Sequence, residues 1–157
     1  MSGPNLHDRT AGALVAALRA KLSPAWTVIP GARWCPLTRF PNDCCTFDVV
    51  IVPAEVGLDW NESARCFGPG LRPVTVIDVI CKEDCEAEFY DKPDALCLAG
   101  VYEYCLWDPT AERIRPAFQA FRQRRSALRI VRTSTHGVFF SATGVRLDFR
   151  DGVDVSR

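Results

Sequence analysis

The chain has no long apolar run, and this excludes a membrane-spanning helix. None of its segments approaches about 18 uncharged apolar residues in succession. The N-terminal residues also lack the basic-then-apolar order of a secretory signal peptide. We therefore expect a cytoplasmic protein with no membrane partner. At 157 residues, without internal repeats or low-complexity segments, the chain is predicted to form one domain over residues 1–157.

A net charge is also absent, because 19 basic side chains balance 19 acidic ones. This argues against a strongly basic nucleic-acid-binding domain. The balance conceals an asymmetry. Residues 81–112 carry two basic and nine acidic side chains, whereas residues 113–157 carry ten arginines and three aspartates. The two excesses either face one another in the fold or mark two surfaces with different partners.

Zinc-ribbon spacing is missing as well, although the chain has eight cysteines. Cys81 and Cys85 form C-x3-C, and Cys44 and Cys45 are adjacent, so no C-x2-C pair occurs. Without a signal peptide we expect reduced thiols rather than a disulfide framework. A metal site built on Cys81 and Cys85 stays open as a minor alternative. Three cysteines among apolar neighbours are interpreted as small core hydrophobes: Cys35, Cys97 and Cys105.

Hydrophobic periodicity predicts helices and several strands. Leu14, Leu18 and Leu22 recur at four-residue spacing and predict a helix over Ala11–Leu22. A second, short helix is predicted to begin at Asp91, with Lys92 in its first turn. Strands are predicted at Trp26–Ile29, Arg33–Thr38, Phe47–Val52, Val74–Ile80 and Tyr102–Trp107.

The C-terminal third alternates apolar and polar residues as antiparallel strands do. An antiparallel meander is predicted over Arg113–Phe121, Ser126–Thr133 and Val138–Ser141, with a last edge strand at Val145–Phe149. Helices and strands in this order indicate an α/β domain with a mixed central β-sheet flanked by helices.

Two aspartates lie in apolar strands, where an unpaired charge is costly. Asp48 follows Phe47 at the start of one strand, and Asp78 is in the middle of Val76–Ile80. If the strands are neighbours, the two carboxylates converge on one point and suit Mg²⁺, which prefers oxygen ligands. Each aspartate also has a structural alternative, in which it caps a loop or pairs with an arginine.

Lys92 is the third candidate for such a site. The chain has three lysines against sixteen arginines, so a lysine is the unusual choice of cation. A cation in the first turn of a helix also opposes the helix dipole. A lysine beside a metal can orient the attacking water or stabilise charge on a phosphate. Chance placement is the alternative, and sequence physics alone leaves the two evenly balanced.

Three segments together resemble a known family. Asp48-Val49-Val50-Ile51-Val52 looks like the "PDVVVV" strand of the Uma-type restriction endonuclease-like family, within the PD-(D/E)XK nuclease superfamily. Val76–Ile80 is similar to that family's "VVEVLSPST" strand. Lys92, followed by Ala99-Gly100-Val101 and by residues 102–109, resembles its "K…YARAGVREYWLVDP" segment. The resemblance covers about residues 11–150.

The resemblance implies a restriction endonuclease-like core and a bacterial, Mg²⁺- or Mn²⁺-dependent DNA endonuclease, with no organic cofactor and a homodimer as one possible state. By it, Asp48 and Asp78 hold the metal and Lys92 is the catalytic lysine. Glu103, Tyr104 and Asp108 match the motif too, and we interpret them as structural.

Departures from the family pattern support an alternative, a member of the same fold that has lost its activity and acts in binding or assembly. Asp78 replaces a glutamate, and residues 81–84 replace the Ser-Pro-Ser-Thr turn. Five acids also crowd the rim of the proposed site: Glu83, Asp84, Glu86, Glu88 and Asp91.

Arginines around the predicted hairpin suggest a contact with DNA phosphates. Arg122, Arg124 and Arg125 are the candidates. The competing interpretation, which we favour, is a solvated arginine-rich hairpin that can pair with the acidic residues 83–91.

Overall fold

The computed structural model describes residues 5–34, 45–55, 66–67, 73–80, 92–93, 96–97, 100–131, 137–149 and 153–156. Across these ranges, no helix combines the length and the apolar character needed to cross a membrane.

The first element is the helix α1, Leu6–Lys21, which begins earlier than the leucine spacing predicts. Asn5 caps it by accepting a hydrogen bond from the Asp8 backbone N–H, at 2.8 Å. The predicted apolar stripe is confirmed, because Leu14 and Leu18 are fully buried. The first turn was missed because it holds a single apolar residue, the exposed Leu6, and carries no periodic apolar pattern.

Among the described residues, seven strands form the main sheet, in the order β3-β1-β2-β4-β5-β6-β7. In chain order they are β1 Trp26–Trp34, β2 Cys45–Pro53, β3 Cys66–Phe67, β4 Thr75–Val79, β5 Glu103–Trp107, β6 Phe118–Arg124 and β7 Ala127–Ile130. The β4–β5 and β1–β3 pairs are parallel and the other pairs are antiparallel, so the predicted mixed sheet is confirmed.

A second, antiparallel sheet has three strands in the order β10-β9-β8. They are β8 Gly137–Phe140, β9 Val145–Asp148 and β10 Asp154–Ser156. The C-terminal meander is therefore present, but it is divided: β6 and β7 extend the main sheet, and β8 begins the small one.

Several predicted bounds are wrong. Trp26–Ile29 and the start of the next predicted strand are one continuous strand, β1, which passes through Pro30 and Gly31. The strand predicted from Arg113 begins only at Phe118, because Asp108 gathers the preceding residues into a turn described below. The short strands β3 and β10 were not predicted.

The main sheet buries apolar side chains on both faces, as the unbroken apolar runs predict. On one face α1 and the small sheet pack over side chains that include Val49 and Ile77. On the other face Leu96 and Val101 pack with side chains that include Val50. Two cysteines predicted to be core residues, Cys97 and Cys105, are buried free thiols, while Cys35 lies outside the described residues.

The alternation of side chains breaks at Asp48. Phe47 packs in the same cluster as Val50, although residues three apart in a regular strand lie on opposite faces. On the neighbouring strand β1, Gly31 has a φ of +58°, a left-handed conformation that residues with a Cβ adopt at a cost. The Asp48 side chain is 22% exposed, and its carboxylate is available to bridge β2 and β4.

Candidate active site

Asp48 and Asp78 face each other where β2 and β4 stop pairing. The antiparallel register runs through Val49 and Ile77, which places the two aspartates next along. At this point, hydrogen bonds to the two carboxylates replace the backbone hydrogen bonds between the strands. The Asp48 N–H donates to Asp78 Oδ1 at 3.2 Å, and the Val79 N–H donates to Asp48 Oδ2 at 2.7 Å. Each carboxylate therefore holds the other's strand.

Lys92 reaches the same point from its helical segment. The backbone of Lys92 and Pro93 is helical, as predicted; Asp91, the predicted cap, lies outside the described residues. The Lys92 Nζ lies 2.7 Å from Asp78 Oδ2 and donates to the Thr46 carbonyl at 2.9 Å. It also lies 4.9 Å from the centre of the Phe47 ring, close enough for a cation–π contact.

Tyr104, interpreted from the sequence as structural, also contacts the carboxylates. Its hydroxyl donates to Asp78 Oδ2 at 2.9 Å, from the middle of β5, where the residue is fully buried. Burial, and then the negative charge of Asp78, raise the pKa of the Tyr104 hydroxyl well above its usual range. The hydroxyl therefore stays protonated and remains a hydrogen-bond donor to Asp78.

His7, in the first turn of α1, was missed from the sequence. Its Nε2 lies 3.1 Å from Asp48 Oδ1, and its Nδ1 lies 3.4 Å from Asp8 Oδ1. Partial burial lowers the pKa of the His7 imidazole, but attraction to Asp48 and hydrogen bonds to Asp8 and Asp48 outweigh it, and the pKa is raised. The available sequence clue was rarity, because the chain has two histidines.

The paired carboxylates make this a site of concentrated negative charge. Burial, and then repulsion from Asp78, raise the pKa of the Asp48 carboxyl, while hydrogen bonds from Val79 and His7 oppose the rise. The same charge reaches the buried Cys105, where burial and then Asp78 raise the pKa of the thiol. A cation near the carboxylates is therefore favoured, and Lys92 supplies one at Asp78 Oδ2.

The carboxylates fit a magnesium-type ion by their chemistry. Asp48 Oδ1, Asp48 Oδ2 and Asp78 Oδ1 each make one hydrogen bond to described residues, which leaves each oxygen with a further lone pair. Asp78 Oδ2 is fully engaged by Lys92 and Tyr104. In the described part of the chain, no three His, Cys, Asp or Glu side chains are placed to hold a metal ion together. Waters would complete the coordination, as Mg²⁺ usually prefers.

The three arginines singled out for DNA contact differ in their surroundings. Arg122 Nε donates to Glu103 Oε1 at 3.0 Å, and its Nη2 donates to the Phe139 carbonyl at 3.0 Å. Its side chain is 24% exposed, and its guanidinium is held by these contacts against the small sheet. Arg124 and Arg125 are exposed at the β6–β7 turn. The acidic residues 83–91, and also Cys81 and Cys85, lie outside the described residues.

Glu103 and Asp108, interpreted as structural, hold backbone in place. Asp108 accepts hydrogen bonds from the backbone N–H groups of Thr110, Arg113 and Ile114, which shapes the turn after β5. Burial raises the pKa of the Asp108 carboxyl, but hydrogen bonds from Thr110, Arg113 and Ile114 outweigh it, and the pKa is lowered.

Comparison with solved structures identifies the fold. The chain is similar to the crystal structure of a candidate nuclease belonging to DUF820 from Anabaena variabilis, with a TM-score of 0.64 at 12% sequence identity. The match covers 92% of this chain and 76% of that one. No protein-family model matches the sequence, and no curated protein does so significantly. The predicted restriction endonuclease-like fold is thereby confirmed, and at this identity the likeness establishes the fold alone.

Proposed function

We propose that this protein is a metal-dependent DNA endonuclease of the Uma-type, PD-(D/E)XK kind. The observation that carries the proposal is the meeting of Asp48, Asp78 and Lys92, which come from three separate segments of the chain. They lie within a fold shared with a candidate nuclease. A strand pair that ends in two carboxylates, with a lysine beside them, supplies the groups that phosphodiester hydrolysis requires.

Each residue has a distinct task in this proposal. Asp48 and Asp78 hold Mg²⁺ or Mn²⁺ through their remaining carboxylate lone pairs. When bound, such an ion polarises the scissile phosphate and lowers the pKa of a coordinated water. Lys92 Nζ, now on Asp78 Oδ2, orients the attacking water or stabilises charge on the phosphate. The exposed Arg124 and Arg125 contact DNA phosphates, whereas Arg122 fixes Glu103 and is left out of that surface.

Plasmid nicking tests the proposal. Purified protein with Mg²⁺ or Mn²⁺ should convert supercoiled DNA to the open circular form, and a chelator should stop the reaction. Asp78→Asn and Lys92→Met should each lower the nicking rate by about a hundredfold or more, the usual scale for losing a preorganised electrostatic group. Lys21→Met, at the far end of α1, is the matched control and should nick at the wild-type rate. Equal nicking by Asp78→Asn and the wild type would refute the assignment.

A second candidate function is binding or assembly by an inactive member of the same fold. One observation favours this alternative. Asp78 Oδ2 already accepts hydrogen bonds from both Lys92 and Tyr104, so the site has its partners within the protein. Those contacts stabilise the fold whether or not the protein cuts DNA. Calorimetry separates the two functions. Tight Mn²⁺ binding that is lost in Asp48→Asn supports the nuclease, and the absence of binding in the wild type supports the inactive alternative.

A further inference from the structure

His7 lies at the spacing of a neighbouring metal ligand. Its Nε2 is 3.1 Å from Asp48 Oδ1. Adjacent ligand atoms around an octahedral ion with bonds of about 2.1 Å are about 3 Å apart. One ion can therefore contact both atoms with little movement of either side chain. The His7 side chain is 26% exposed and that of Asp48 is 22% exposed, so an ion from solvent can reach this pair.

The other nitrogen of the ring faces a carboxylate. His7 Nδ1 lies 3.4 Å from Asp8 Oδ1. Histidine ligands of metals usually donate their second ring N–H to a carboxylate or carbonyl, which fixes the ring and leaves the first nitrogen's lone pair on the metal. When an ion replaces the proton through which Nε2 contacts Asp48, the ring proton on Nδ1 still faces Asp8, and the Nε2 lone pair is available to the ion. The contact between His7 Nδ1 and Asp8 is thus a second observation that fits a metal ligand, separate from the distance between His7 and Asp48.

The hydrogen bonds within the site also favour ion binding at Asp48 Oδ1 over Asp78 Oδ2. Asp78 Oδ2 is fully engaged by Lys92 and Tyr104, and the Asp78 side chain is only 9% exposed. Asp48 Oδ1 is held by no backbone donor among the described residues; its contact is His7. Among the four carboxylate oxygens, it is the one that holds neither the opposite strand nor Lys92 nor Tyr104, so an incoming ion meets the least competition there.

We propose that His7 is a metal ligand of this site, through Nε2, beside Asp48. The proposal rests on the metal site of the proposed function and deepens it by naming the ion. An imidazole ligand favours first-row transition metals over Mg²⁺, which prefers oxygen. The site therefore binds Mn²⁺ in preference to Mg²⁺.

Pulsed electron paramagnetic resonance of bound Mn²⁺ tests the ligand directly. A coordinated imidazole nitrogen gives a ¹⁴N modulation of the Mn²⁺ signal. The chain has two histidines, His7 and His136, so the source is easily assigned. The modulation should be present in the wild type and in His136→Ala, the matched control, and absent in His7→Ala. Calorimetry should show Mn²⁺ affinity weakened more than about tenfold in His7→Ala, with a smaller change for Mg²⁺.

The outcomes separate this proposal from the proposed function. If Mn²⁺ binding depends on Asp48 but the ¹⁴N modulation survives in His7→Ala, His7 is not a ligand and the metal site stands. If the wild type binds no Mn²⁺, the metal site itself is refuted, and this proposal with it. His7→Gln keeps a good helix former in the first turn of α1, and it should lose the modulation with an unchanged melting temperature.

Discussion

At the scale of single residues, the site is organised around one oxygen atom. Asp78 Oδ2 accepts from Lys92 Nζ at 2.7 Å and from the Tyr104 hydroxyl at 2.9 Å. Two donors on one oxygen fix the plane of the carboxylate, and the second oxygen is fixed in turn by the Asp48 N–H. Tyr104 contributes only orientation, because its raised pKa keeps the proton on its own oxygen.

Tyr104→Phe should therefore test the orientation of the Asp78 carboxylate while the charges of Asp78 and Lys92 are kept. The substitution removes a hydrogen bond to a charged group and keeps the ring, so the free energy of unfolding should fall by about 1.5–3 kcal/mol. Without that donor Asp78 is held less firmly, and Mn²⁺ affinity and the nicking rate should each fall by about tenfold or more. Urea unfolding, calorimetry and the plasmid assay measure the three effects.

Tyr102→Phe is the control for this substitution. Tyr102 is 39% exposed and lies two residues away in the chain, so the same loss of a hydroxyl should change none of the three quantities. Wild-type metal affinity in Tyr104→Phe would show that Lys92 alone is sufficient to orient Asp78.

At the scale of the elements, the site depends on a bend in β1 and β2. The alternation of buried side chains breaks at Asp48, and Gly31 on the adjacent strand has a φ of +58°. A regular strand would direct Asp48 into one of the two apolar clusters, where an aspartate is costly. The bend is thus what allows a carboxylate within an otherwise apolar strand.

Gly31→Ala should be destabilising, because a Cβ makes the left-handed conformation unfavourable. We expect a loss of about 1–2 kcal/mol in the free energy of unfolding, measured by urea denaturation. Gly12→Ala is the comparison, and it should instead raise the free energy of unfolding. An added Cβ at Gly12 meets nothing within 4 Å, and alanine in the middle of a helix should add about 0.5–1 kcal/mol. Equal stability of Gly31→Ala and the wild type would mean that the bend does not require glycine.

The elements built from apolar runs were the ones that the sequence predicted well. β2, β4 and β5 follow unbroken apolar runs, and their burial on both faces decides their structure. Lys92 is singled out by the rarity of lysine in this chain and by its place in the first turn of a helix, and its catalytic role is implied by the family resemblance. The candidates Asp48, Asp78 and Lys92 lie together in the structure, while their roles in metal binding and catalysis remain predictions.

Contacts between distant segments could not be predicted in the same way. His7 reaches Asp48 only because α1 packs across the sheet, and nothing local to His7 indicates that partner. Tyr104 looked structural because its burial is evident from an apolar strand, whereas the direction of its hydroxyl depends on the β4–β5 register. The separation of β8 from the meander is likewise decided by tertiary packing rather than by strand propensity.

At the scale of the whole molecule, Glu103 joins the two sheets. It lies on β5 of the main sheet, with its side chain 2% exposed. Its carboxylate accepts from Arg122 in the main sheet and from the Ser141 N–H and hydroxyl, in the turn after β8. One member of the acidic segment 81–112 is thus paired with one member of the basic segment 113–157, as one of the two sequence interpretations expects.

Glu103→Gln should loosen this connection. The amide keeps the shape and its oxygen can replace Oε1, but its NH2 group replaces Oε2, which accepts from the Thr75 hydroxyl at 3.3 Å and from the Ala142 N–H at 3.4 Å. Those two hydrogen bonds are lost, together with the negative charge that faces Arg122. The free energy of unfolding should fall by about 1–3 kcal/mol, with hydrogen exchange accelerated in β8 and β9. Glu55→Gln, at an exposed position, should have no effect. Unchanged exchange in β8 and β9 would show that the small sheet is held by its apolar contacts alone.

The hydrogen bonds that each aspartate makes with the opposite strand affect how the acid pair is retained in evolution. Asp48 holds the Val79 N–H, and Asp78 holds the Asp48 N–H, so losing either acid disrupts the junction of two central strands. Selection for a folded chain alone would then retain both acids after cleavage had ceased to matter. The presence of this acid pair in a homologue therefore indicates the fold, and an assay of that homologue establishes whether it cuts DNA.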